Sequence, residues 1–343
     1  MKQQAMLGEK CQDNDVRCLL CAHGCRIKPG EFGFCGVRQN KDGVLQTLVY
    51  GEPIAAHLDP IEKKPLYHFL PGTRSYSVAT VGCNFRCRFC QNWQISQLNK
   101  KDHRADGVPF VPPEEIVEQA LIYKAQSIAY TYTEPTIFFE YAYDIARLAQ
   151  DKGLANIFVT NGFMTRSALE QIQPFLNAAN VDLKSFNDTF YRQTCSGRLE
   201  PVLQTIRNMK DLGIWLEVTT LIIPGINDSP AEIRDLTAFL AGIDPNIPWH
   251  ISRFHPDYQF DNHAPTPLTT LQAAQKIGHE QGLRYIYPGN VSQDVNTACP
   301  ECGQVLIKRR HYQVEKLDLT DHVCPKCQTP VAGIWEGEGS YGT

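Results

Sequence analysis

Ser75-Tyr76-Ser77-Val78-Ala79-Thr80-Val81-Gly82-Cys83-Asn84-Phe85-Arg86-Cys87-Arg88-Phe89-Cys90 decides how the rest of this chain is read. The apolar, β-branched run over residues 78–81 reads as a buried strand that delivers three cysteines onto a loop at its C-terminal end. A cubic iron–sulfur cluster is normally held by four thiolates. Three at this spacing leave its fourth iron open to an exogenous ligand. The competing reading is a structural zinc knuckle, although closed zinc sites favour paired C-x2-C arms and a fourth ligand.

Outward from this loop, buried-strand runs alternate with amphipathic helices. Strands are expected over 76–81, 127–132, 155–160, 181–184, 215–223, 249–254 and 283–287, and helices over 113–125, 137–149 and 167–176. A further helix carries its own boundaries: Ser229 and Glu232 fit a capping box, Pro230 suits the first turn, Ile233, Leu236 and Leu240 form a stripe, and Gly242 follows the end. Strands separated by helices imply parallel pairing. Six or seven such units are too few for a closed eight-fold barrel, so the expected fold is α/β, a partial (β/α)6 barrel. Functional groups of such barrels sit at the C-terminal strand ends, and here those ends are polar: Tyr132-Thr133-Glu134, Thr160-Asn161-Gly162, Asp182-Leu183-Lys184 and Ser252-Arg253-Phe254-His255.

The 343 residues accommodate one barrel and small appendages, with boundaries expected at 1–72, 73–296 and 297–343. A formal net charge of -4 with scattered basic residues gives no electrostatic footprint for nucleic acid. No apolar run has the length of a signal peptide or a membrane span, so a cytoplasmic protein without a membrane partner is expected. Eleven of the 13 cysteines fall into three compact groups, which in a long intracellular chain suggests metals rather than disulfides; Cys11 and Cys195 are left over.

Cys83-x3-Cys87-x2-Cys90, with Phe89 before the third cysteine, resembles the signature of the radical S-adenosylmethionine (SAM) enzymes. That resemblance implies a [4Fe-4S] cluster on Cys83, Cys87 and Cys90, whose open iron chelates SAM. It also implies reductive cleavage of SAM to a 5'-deoxyadenosyl radical that abstracts hydrogen, an oxidoreductase chemistry supplied by the cofactor. Within that superfamily the strand ends resemble the glycyl-radical activating enzymes, the pyruvate formate-lyase activating enzyme among them. By that likeness Glu134 accepts the methionine amine of SAM, Thr160, Asn161 and Asp182 belong to the cofactor pocket, Lys184 pairs with the SAM carboxylate, and His255 contacts SAM. A buried ammonium does require a carboxylate acceptor. The resemblance further implies a reduced flavodoxin or ferredoxin-type electron donor and a protein substrate. Two departures stand out: Tyr132 and Thr133 occupy the places of two glycines, and Val159 that of an acid which helps hold a cation.

Two further cysteine groups flank the barrel. Cys18-x2-Cys21-x3-Cys25-x9-Cys35 offers four thiolates to zinc or to a second iron–sulfur cluster, its uneven spacing leaving both open. With the stretch His57-Leu58-Asp59-Pro60-Ile61-Glu62-Lys63-Lys64-Pro65-Leu66-Tyr67-His68, this box resembles the N-terminal region of the AmmeMemoRadiSam-system radical SAM enzymes. At the other end, Cys299-x2-Cys302 and Cys324-x2-Cys327 have the paired arms of a zinc ribbon, with a rubredoxin-like iron site as the alternative. Activases need only the barrel. The added modules therefore leave a small-molecule substrate as the second reading, and a non-catalytic electron-transfer or interaction protein as a third.

Overall fold

The computed structural model describes residues 3–97, 107–319 and 322–335. Its centre is an eight-stranded sheet whose strands neighbour one another in chain order: β1 (Ala55–Pro60), β2 (Arg74–Ala79), β3 (Ser127–Tyr130), β4 (Ala155–Thr160), β5 (Ala178–Asp182), β6 (Trp215–Ile222), β7 (Trp249–Arg253) and β8 (Ile286–Gly289). From β2 to β8 every pairing is parallel. Strand β1 was not anticipated: it runs antiparallel to β2, with Ala55 opposite Ala79 and Pro60 opposite Arg74. Its sequence lacks the apolar run of its neighbours because it lies on the edge, where one face meets solvent.

Among the described residues, six helices of seven residues or more follow β2 to β7: α1 (Pro113–Ile122), α2 (Phe139–Asp151), α3 (Arg166–Ile172), α4 (Leu199–Asp211), α5 (Pro230–Ile243) and α6 (Leu268–Glu280). Six strand–helix units in an unclosed sheet match the expected partial barrel. Differences are local and have physical causes. Helix α3 stops short and passes into a 3-10 turn at Gln173–Phe175, where Pro174 has no N–H to continue the ladder. Ser229 caps α5 by accepting from Glu232 N at 3.2 Å, but the Glu232 carboxylate does not close the box; it bonds Ser185 Oγ and accepts from Phe186 N at 2.8 Å, anchoring the loop after β5. Gly242 lies inside α5, which ends at Ile243. Among the described residues no helix is long and apolar enough to cross a membrane.

The N-terminal ends of the strands are sealed by residues 61–70 and by the C-terminal tail, a three-stranded antiparallel sheet of Thr297–Ala298, Val305–Arg310 and Gln313–Leu317. Glu217, near the start of β6 and fully buried, accepts from the backbone N–H of Tyr67 (2.9 Å) and His68 (2.8 Å) and pairs with His250 Nε2 at 2.7 Å. The His68 ring bonds Tyr287 Oη (2.5 Å) and the Ala332 carbonyl (2.6 Å). Buried Arg309 donates to Tyr67 O and Thr297 Oγ1. Across the junction Leu70 N donates to Ile334 O and Ile334 N donates to His68 O, both at 2.7 Å.

Burial lowers the pKa of His68 to about 4, against the partial opposition of Glu217. Because the folded value lies below the ordinary one near 6.5, the unfolded chain binds the proton first on acidification. Stability from neutral His68 is therefore complete above about pH 6.5 and is lost as pH falls toward about 4. Melting temperatures measured through that window should fall more steeply for the parent than for His68→Asn, which cannot titrate; parallel slopes would contradict the assignment.

Candidate active site at the strand ends

A cavity of about 530 Å³ opens at the C-terminal ends of the parallel strands. Cys83, Cys87 and Cys90 all line it, on the loop that leaves β2. Two buried aromatic anchors hold that loop: Phe85 packs on Phe163 (ring centroids 5.0 Å) and Phe89 on Phe190 (5.9 Å). Gly197 lets the neighbouring turn approach, since a Cβ there would stand 2.4 Å from the Phe85 ring. Phe85 N and Asn161 Nδ2 point at Cys83 Sγ (3.3 and 3.8 Å), and Cys90 Sγ lies 3.1 Å from Ser96 Oγ. Desolvation pushes the Cys83 thiol well up, and the nearby Glu134 carboxylate adds to it. A thiolate there requires a bound cation to replace its proton.

Opposite the cysteines, Glu134 is buried at the start of the 3-10 turn Pro135–Phe138. Its Oε1 accepts from Thr136 N (3.1 Å), Thr136 Oγ1 (2.5 Å) and Thr160 Oγ1 (2.7 Å), and its Oε2 from Asn161 N (2.8 Å). It caps the turn as well as facing the cavity. Burial raises its pKa despite these four bonds, so a cation beside it would favour the charged form. Asp182 and Lys184 form an ion pair at 2.8 Å on the same wall. Thr160, Asn161, Asp182 and Lys184 thus meet Glu134 and the cysteines in one space. His255 does not line that space: it is exposed at the rim, its Nε2 2.8 Å from Gln91 Nε2.

The floor was not foreseen. Lys63, Lys64 and Tyr132 line it, with Asp59 beneath. Asp59 pairs with Lys63 (2.8 Å) and Lys64 (2.7 Å), accepts from Ser77 Oγ (3.0 Å) and bonds the Tyr132 hydroxyl. Burial lowers the Lys64 pKa to about 8 against the pull of Asp59. Only the basic pair within residues 57–68 could have hinted at this, and solvated lysine pairs are common. Tyr132 sits at φ +62°, the left-handed region that favours glycine. The substitution therefore keeps the backbone course a glycine would take, and its ring reaches down to Asp59. Cys195, left over in the sequence, is buried beside Cys87 and raises the pKa of that thiol by hydrogen bonding to it.

The outer cysteine groups differ in geometry. All four sulfurs of Cys299, Cys302, Cys324 and Cys327 lie within 4.8 Å of one another, with Cys299–Cys327 at 3.5 Å and Cys302–Cys324 at 3.7 Å. Tetrahedral zinc with bonds of about 2.3 Å sets its sulfurs about 3.8 Å apart, so the donor set fits. Among the described residues no other three cysteines are so close. Cys18, Cys21, Cys25 and Cys35 instead surround a small cavity shared with Phe34 and Arg38.

Residues 77–237 match the family model of the radical SAM superfamily. The chain is 43% identical over 332 residues to an uncharacterized protein of Methanocaldococcus jannaschii, covering 95% of this chain and 97% of that one. It is 21% identical over 182 residues to the pyruvate formate-lyase-activating enzyme of Clostridium pasteurianum, covering 50% and 71%. In fold it is similar to a radical SAM methyltransferase from Sphaerobacter thermophilus, with a TM-score of 0.51, 16% identity and coverage of 69% and 71%. With the three-cysteine loop and the polar strand ends in one cavity, these likenesses make the chain an enzyme of the radical SAM superfamily.

Proposed function

We propose that this enzyme cleaves SAM reductively at a [4Fe-4S] cluster held by Cys83, Cys87 and Cys90, as the glycyl-radical activating enzymes do. The observation that carries the reading is the buried Glu134 carboxylate facing three cysteines across one cavity. The cluster, when bound, supplies the electron that breaks the sulfonium bond and leaves a carbon radical. Its fit rests on the donor set: Cys83, Cys87 and Cys90, three thiols of one loop, line a single cavity of about 530 Å³, and among the described residues no other cysteine lines it.

The protein's own groups bind and orient. Glu134 accepts the methionine ammonium, held in place by Thr136, Thr160 and the Asn161 N–H. Lys184, fixed by Asp182, offers its ammonium to the methionine carboxylate. The sealed floor keeps water from entering from below. A reduced flavodoxin or ferredoxin-type protein in the cytoplasm supplies electrons, and the four C-terminal cysteines hold zinc that fixes the tail onto the barrel.

The hydrogen donor is a protein glycine in the activase reading. The floor favours the second reading, a small molecule: Lys63 and Lys64 line the cavity, each paired with Asp59 behind them, and give it a charged wall suited to a compact polar substrate.

Cys83→Ala should abolish the change that SAM causes in the electron paramagnetic resonance spectrum of the reduced protein. Glu134→Gln, which retains the side chain's size, should keep the cluster but weaken SAM binding by about 1.5–3 kcal/mol in equilibrium dialysis. Unaltered affinity would remove Glu134 from the site. Cys302→Ser with Cys327→Ser should lower zinc by about one equivalent per chain in elemental analysis; undiminished zinc would refute the tail site.

A further inference from the structure

We infer that Cys18, Cys21, Cys25 and Cys35 hold a second iron–sulfur cluster rather than zinc, and that this cluster relays electrons to the catalytic one. The relay rests on the SAM-cleaving reading above; the identity of the metal group does not.

Sulfur spacing distinguishes the two metals. The four C-terminal sulfurs converge within 4.8 Å, as a single tetrahedral ion demands, whereas no three of the N-terminal sulfurs do so. They surround a cavity instead, which is the arrangement of a cubane whose cysteines each bind a different corner iron. Cys83, Cys87 and Cys90 likewise form no such tight group and likewise line a cavity. Two donors point at the box sulfurs: Phe34 N lies 3.4 Å from Cys25 Sγ, and the guanidinium of Arg38, only 1% exposed, lies 3.5 Å from Cys18 Sγ. Such bonds to thiolate sulfur stabilise the extra negative charge of a reduced cluster.

The box also packs directly against the catalytic loop. Arg86 clasps both cysteine loops at once, donating to Phe34 O at 2.6 Å and to Cys83 O at 2.7 Å. His23 Nε2 bonds Asn84 O at 2.7 Å, and the Asn84 side chain accepts from Asn161, which also points at Cys83 Sγ. A Cβ on Gly82 would lie 3.4 Å from the Cys35 carbonyl, so the box backbone touches the residue before Cys83. Cys18 and Cys35 are buried, Cys35 against the catalytic loop, while Cys21 and Cys25 are partly exposed. The box therefore spans from the surface to the catalytic loop.

The electron balance is simple. A reduced ferredoxin- or flavodoxin-class protein gives up one electron and is oxidised. The second cluster gains that electron, then returns to its oxidised state as the catalytic cluster is reduced, and neither transfer makes or breaks a bond. Zinc has no redox couple and could not serve.

The intact protein, reconstituted anaerobically with iron and sulfide, should contain about eight irons, four per cluster. The variant Cys83→Ala/Cys87→Ala/Cys90→Ala should retain about four, with a reduced-state paramagnetic signal that SAM leaves unchanged. About four irons and two zinc ions in the intact protein would overturn the cluster assignment, whether or not that variant folds. For the relay, Cys21→Ser/Cys25→Ser should lower the ratio of flavodoxin-driven to dithionite-driven SAM cleavage at least tenfold, because dithionite is small enough to reach the catalytic cluster directly. An unchanged ratio would overturn the relay while leaving the SAM-cleaving reading intact.

Discussion

The buried carboxylate of Glu217 settles which end of this sheet is closed. It sits near the start of β6 with no solvent to stabilise its charge, and its partners are the His250 ring and two backbone N–H groups of the segment that crosses beneath the strands. An unpaired charge in that position would cost several kcal/mol. Residues 67 and 68 are therefore held where they are, and through His68, Tyr287 and Arg309 so is the C-terminal tail. With the N-terminal ends sealed, the C-terminal ends are the ones left to form a site.

Parallel order does the rest. Because β2 to β8 run the same way, the residue that ends each strand arrives at one rim, and side chains distant in sequence, Cys83, Glu134, Asn161 and Lys184, face one cavity without long loops to carry them. The same crossing segment that seals the floor also furnishes it, since Lys63 and Lys64 stand a few residues before the Glu217 contacts. Closure of the sheet's lower end and part of the cavity lining thus depend on one stretch of chain.

The alternation of apolar strands with capped helices made the barrel legible in the sequence, because strands buried on both faces carry continuous β-branched runs. The three cysteines and the polar strand ends that line the cavity were legible for a related reason: each stands just after such a run. Strand β1 was not legible, since an edge strand with His57 and Asp59 lacks that composition. Nor was the floor, where Asp59, Lys64 and Tyr132 meet only through tertiary folding, or the pairing of Cys195 with Cys87. Glu232 shows how a correct local motif is redirected: its spacing from Ser229 fits a capping box, but Ser185 and Phe186 offered its carboxylate better partners. Nor does spacing alone reveal how close the sulfurs of the N-terminal box come to rest.

Cleavage of SAM in this cavity can be read directly from its products. Protein carrying a full complement of iron and sulfide, incubated without air with dithionite and SAM, should release 5'-deoxyadenosine and methionine in equal amounts. A fully loaded protein that binds SAM yet releases neither product would contradict the account.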